Sequence, residues 1–83
     1  MPNWKHLESR PRSWRKQPFI KGTKVPVSVV WGALLSDNLT PEEIAQDRYL
    51  NVDAVIEAIA FVALNPNVLA DDDATERLML GAS

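Results

Sequence analysis

Two helix starts in close succession constrain this chain more than any other feature. Thr40-Pro41-Glu42-Glu43 reads as a capping box: Thr40 is a good N-cap, Pro41 suits the first helical position, and Glu43 lies three residues beyond the cap. Leu39 before the cap and Ile44 within the first turns form a hydrophobic staple, and the two glutamates suit the positive end of the helix dipole. This helix is expected to end near Asp47. A second start follows at Asn51, with Leu50 and Val55 as its staple. Val52, Val55, Ile56, Ile59, Val62 and Ala63 recur at helical spacing as the buried stripe. Asn65-Pro66 stops the helix, because proline excludes its predecessor from helical angles. Phe61 falls off the centre of the stripe and suits either the core or a second apolar face.

A third helix precedes this pair. Val27, Val30, Trp31, Leu34 and Leu35 make one apolar face over about Val27 to Ser36, and Asn38 tolerates the left-handed conformation that ends it. Upstream, Phe19-Ile20-Lys21 and Lys24-Val25-Pro26 flank Gly22-Thr23 and read as a small hairpin or sharp turn. The expected fold is mainly α: a small N-terminal β-hairpin, a three-helix bundle with a helix-turn-helix outline, and a short C-terminal helix over Ala74 to Leu80. Three stretches follow: a basic arm (1–17), the core (18–64), and a linker with its helix (65–83).

The arm and the body carry opposite charge. Residues 1–24 hold seven Lys and Arg against Glu8, whereas residues 25–83 hold two against ten acids. Trp4 and Trp14 are the aromatic residues of the arm. They suit lids over the core, or surfaces that stack on a base or a partner.

Catalytic readings fail on inventory. The 83 residues contain no cysteine and one histidine, His6. Ser28 and Ser36 have no neighbouring base, and most carboxylates sit at helix starts, where capping explains them. Lys21-Gly22-Thr23-Lys24 lacks the rest of a phosphate loop, and Asp71-Asp72-Asp73 lacks the alternating ligands and closing glutamate of a calcium loop; the run reads as acids capping the last helix. No enzyme activity, metal, cofactor or small-molecule substrate is expected. No apolar run approaches the roughly 20 residues that span a bilayer, and the N-terminus has no apolar leader. The expectation is a soluble, cytoplasmic protein with no membrane partner.

Three strings carry a resemblance to a known family. Phe19-Ile20-Lys21-Gly22-Thr23-Lys24-Val25-Pro26-Val27 resembles the Ile-Arg-Gly-Thr-Arg-Ile-Pro-Val signature of the domain of unknown function 433 family. Asn38-Leu39-Thr40-Pro41-Glu42-Glu43-Ile44-Ala45 is similar to its Gly-Leu-Ser-Pro-Glu-Glu-Ile segment, and Leu50-Asn51-Val52-Asp53-Ala54-Val55 to the start of its third helix. The likeness covers about Pro18 to Leu64. Arg15-Lys16-Gln17-Pro18 departs from the family's Gly-Gly-Lys-Pro lead, Arg48-Tyr49 stands for its Tyr-Pro, and the basic arm at 4–16 stands where the family has a short strand. The resemblance implies a homeodomain-like helix-turn-helix, a homodimer, and an antitoxin-like bacterial protein that binds operator DNA and restrains a nuclease-like, PIN-related toxin.

The expected contacts follow from charge and apolar excess. Lys5, Arg10, Arg12, Arg15, Lys16, Lys21, Lys24 and Arg48 are the candidate contacts to duplex DNA. Asp53 and Glu57 on the third helix would face phosphates unfavourably, so an arm-led contact is expected over a helix-led one. Trp31, Phe61, Leu78 and Met79 exceed what one small core must bury and are the candidate dimer or partner interface. The alternative from the same charges is a protein-interaction module that does not bind DNA.

Overall fold

The computed structural model describes residues 4–10 and 12–81; residues 1–3 and 11 of the expected arm and 82–83 of the tail lie outside the described residues. The order of elements is β1 (Leu7–Glu8), β2 (Phe19–Ile20), α1 (Val27–Ser36), α2 (Pro41–Arg48), α3 (Val52–Leu64) and α4 (Pro66–Gly81). The mainly helical architecture with a two-stranded antiparallel element is the one the sequence predicts.

The helix ends follow local chemistry. Thr40 Oγ1 accepts the Glu43 N–H at 3.2 Å, and Glu43 Oε1 accepts the Thr40 N–H at 3.0 Å, which completes the capping box. Asn51 Oδ1 accepts the Asp53 N–H at 2.8 Å. Asn38 takes φ 54° after α1. Tyr49 ends α2 in the same left-handed region, with φ 56° and ψ 44°, and the Leu50 amide then reaches back to the Ala45 carbonyl at 2.8 Å. The sequence reading did not foresee a tyrosine in that position, which usually belongs to glycine or asparagine.

The core lies where α1 and α2 pack on α3. Val27, Val30, Ile44 and Val55 are its largest fully buried side chains. Each removes enough apolar surface from water to contribute about 1.5–3 kcal/mol. The buried stripe of α3 is Ala54, Val55, Ala58, Phe61 and Val62, rotated from the expected one. Ile56 and Ala63 face outward, and Val52 and Ile59 are half-buried. Ala54 and Ala58 are inward positions that a count of large apolar residues along the helix does not register. On α1, likewise, Ala33 is buried while Leu35 is exposed.

Three further differences concern the N-terminal strand, the last helix and Phe61. Phe19–Ile20 finds its strand partner in the N-terminal segment: Leu7 pairs with Ile20 and Glu8 with Phe19, antiparallel. The basic segment, which was expected to stand in place of a short strand, thus supplies one. On the other side, a turn at Gly22 (φ 74°) brings Pro26 into a single bridge with Phe19, and the Ile20 N–H donates to the Val25 carbonyl at 2.9 Å.

The last helix runs from Pro66, well before Ala74. Proline at the first position stops α3 and starts α4 at once, and the chain turns by 86° between the two. Finally, Phe61 belongs to the core at 7% exposed, which removes it from the candidate interface. The Trp4 and Phe61 rings meet edge to face with centroids 5.7 Å apart, so the N-terminal segment covers that flank of α3. No single helix among the described residues is long and apolar enough to cross a membrane.

Candidate nucleic-acid interface

The basic N-terminal segment is laid over the helical body, and its backbone is held there by carboxylates. Glu57 of α3 accepts the His6 N–H at 2.9 Å. Asp72 of α4, 3% exposed, accepts the Lys16 N–H at 2.7 Å through Oδ1 and the Gln17 N–H at 3.0 Å through Oδ2. Buried Gln17 passes this order onward: its Oε1 accepts the Ser28 N–H at 2.8 Å, in the first turn of α1. Pro26, the N-cap of α1, offers no side-chain hydrogen bond, so a residue eleven positions from Ser28 serves one of the free amides of that helix end.

Glu8 organises the turn. Its Oε1 accepts the Gly22 N–H at 3.2 Å and pairs with Arg10 at the same distance. The Gly22 amide and then the Arg10 guanidinium hold this carboxyl below the usual glutamate range, with Lys21 adding a smaller contribution.

The cations of the segment divide into two groups. Arg10 is half-buried: besides Glu8 it donates to the Thr23 carbonyl and lies over the Phe19 ring, 4.3 Å from its centroid. It braces the turn, and Arg15, half-buried, stacks over Trp14 at 4.7 Å. Lys5, Arg12, Lys16, Lys21 and Lys24 are exposed. Among the described residues, Arg10 is the only cation of the segment in an ion pair. The acids thus hold the segment through its amides and leave its cationic side chains to solvent. Arg48 stands apart on α2, in the last turn, where a cation suits the negative end of the helix.

The outward face of α3 has a different character. Asp53, Ile56, Ala63 and Leu64 are exposed, with Ile56 and Leu64 at 50% and 70%. None offers the donors with which a helix in the major groove reads bases. Of the remaining interface candidates, Leu78 and Met79 are exposed on the distal half of α4, and Trp31 is half-buried against the core.

Three of the organising residues escaped the sequence reading: Gln17, Glu57 as an acceptor, and Asp72. A signal existed for Asp72. It follows Leu69 by three positions and Val68 by four, and both pack on the core, so helical spacing alone places it on the inward stripe of α4.

A family model described as "Protein of unknown function (DUF433)" matches residues 8–62. The match runs from β1 to the last turns of α3 and stops short of α4, which carries Asp72. No curated protein and no solved structure matches this chain.

Proposed function

Given that the chain belongs to the DUF433 family, we propose that it is an antitoxin-like regulator that binds DNA through its N-terminal basic layer. The observation that carries this reading is the division of labour described above. Carboxylates fix the backbone of the layer, and Lys5, Arg12, Lys16, Lys21 and Lys24 face solvent. A surface of fixed cations neutralises phosphates and releases their counterions, without demanding a particular base sequence. Arg10 and Arg15 support that surface from within. The protein so read is non-catalytic.

Self-association and a nuclease-like, PIN-related partner belong to the same proposal. The exposed apolar residues of α4, Leu78 and Met79, suit a protein surface. A second reading, a protein-interaction module without DNA, is favoured by the outward face of α3, where Ile56 and Leu64 replace base-reading donors.

Fluorescence anisotropy of a labelled duplex across a salt series separates the two. The DNA reading expects log affinity to fall linearly with log salt, by about 0.9 for each phosphate neutralised. The combined Lys5→Ala, Arg12→Ala, Lys16→Ala and Lys24→Ala variant should flatten that slope while melting like the parent. No duplex binding at low salt rejects the DNA reading, and a copurified partner that survives high salt then supports the second.

A further inference from the structure

The three tryptophans are used differently. Trp4 and Trp31 pack against the core. Trp14 is the most exposed of the three, at 37%. The Arg15 guanidinium lies over its ring at 4.7 Å. The pair brings an indole and a guanidinium against each other, flanked in sequence by exposed Arg12 and Lys16.

This pair sits on an ordered stretch of backbone. The Ser13 N–H donates to the Arg10 carbonyl at 2.9 Å. The Arg15 N–H donates to Ser13 Oγ at 3.2 Å, and the Lys16 N–H is held by buried Asp72 at 2.7 Å. A ligand therefore meets a pre-formed platform and loses less freedom on binding than it would with a floppy tail.

Indole and guanidinium planes are both surfaces on which nucleobases stack, and cations beside them meet the phosphates that connect successive bases. A paired base inside a duplex presents its edge to a side chain, whereas an unpaired base presents its face. We propose that Trp14 and Arg15 form a stacking site for an unpaired nucleobase, so that the basic layer holds single-stranded nucleic acid more tightly than duplex. This rests on the reading of that layer as a nucleic-acid surface and adds a ligand class to it. The duplex is held by the cations alone, and the single strand by the cations and by stacking.

The test uses the full chain and three labelled probes of roughly 12 nucleotides: oligo-dT, a duplex, and an abasic strand of equal charge. The parent should bind oligo-dT more tightly than either of the others. Trp14→Ala should weaken oligo-dT binding by about tenfold, leave duplex affinity within about twofold, and melt close to the parent. Trp14→Phe should recover part of the loss. Equal binding of oligo-dT and the abasic strand overturns the stacking site, as does an equal loss on every probe in Trp14→Ala. Salt-sensitive duplex binding with no effect of Trp14→Ala on any probe overturns stacking and leaves the nucleic-acid reading standing. No binding of any probe by the parent at low salt overturns both.

Discussion

Asp72 and Gln17 lie 55 positions apart and are joined by a 3.0 Å hydrogen bond from the Gln17 amide to Asp72 Oδ2, both residues being buried. The same carboxylate takes the Lys16 amide, and the Gln17 side chain in turn takes the amide of Ser28. One buried acid on α4 therefore fixes the entry to β2 and, through Gln17, the first turn of α1. It has this leverage because hydrogen bonds to a charged acceptor out of water are stronger than neutral ones.

Removing Asp72 should be costly. Asp72→Ala leaves two amides without their acceptor, one of them buried, and should destabilise the fold by about 2–4 kcal/mol. Gln17→Ala should cost about 1 kcal/mol, as loss of a helix cap does. The double variant should cost less than the two added together, because both changes break one network. Urea unfolding of the three variants measures this. Strict additivity would show that Gln17 and Asp72 act independently.

Tyr49 is the opposite case, a residue whose replacement should help. It is 97% exposed and holds φ 56°, a conformation that costs an L-residue with a Cβ about 1–2 kcal/mol. Tyr49→Gly removes that strain and loses little packing, at the expense of about 0.5–1 kcal/mol of extra chain entropy in the unfolded state. The expected net gain is about 0.5 kcal/mol, read as a higher urea midpoint at unchanged m-value. A lower midpoint would show that the tyrosine ring contributes to the fold.

Glu8 gives the fold a pH dependence of defined sign. Its carboxyl titrates below the ordinary glutamate value, held down first by the Gly22 amide and then by Arg10. The folded state therefore favours the ionised form. This contribution is fully present above the unfolded-state value of about 4.3 and fades as pH falls through the lower folded value. Glu8→Gln should remove the dependence in that window. Carboxyl NMR shifts followed through acid titration give the folded value directly, and a Glu8 that titrates at or above 4.3, about the free value, contradicts the assignment.

Much of the helical frame was legible because its signals are local. The Thr40–Glu43 box, Asn51 with its cap, and Pro66 act within one or two turns, so neighbouring letters suffice to find them. The periodicity of α3 was legible as a helix, yet its inward face was misassigned by a fraction of a turn. The inward face includes Ala54 and Ala58, while the larger Ile56 is turned outward, so size along the chain does not mark the buried side. The basic layer was legible as charge, but its cations read alike. Their separation into bracing Arg10, stacked Arg15 and exposed lysines depends on where the Phe19 ring, the Thr23 carbonyl and Trp14 lie.

The sequence by itself determined where α1, α2 and α3 start and stop, and that a basic end precedes an acidic body, but it placed the start of α4 too late. These properties depend on neighbours along the chain, where caps, proline and side-chain spacing act. The tertiary structure alone decided that the basic segment supplies the strand beside Phe19–Ile20, that Glu57 and Asp72 accept its amides, and that Asp72 is buried although it lies between two exposed aspartates. The two carboxylate contacts join residues more than fifty positions apart. They form because a buried amide needs an acceptor, and only the folded arrangement of α3 and α4 brings these two carboxylates within reach.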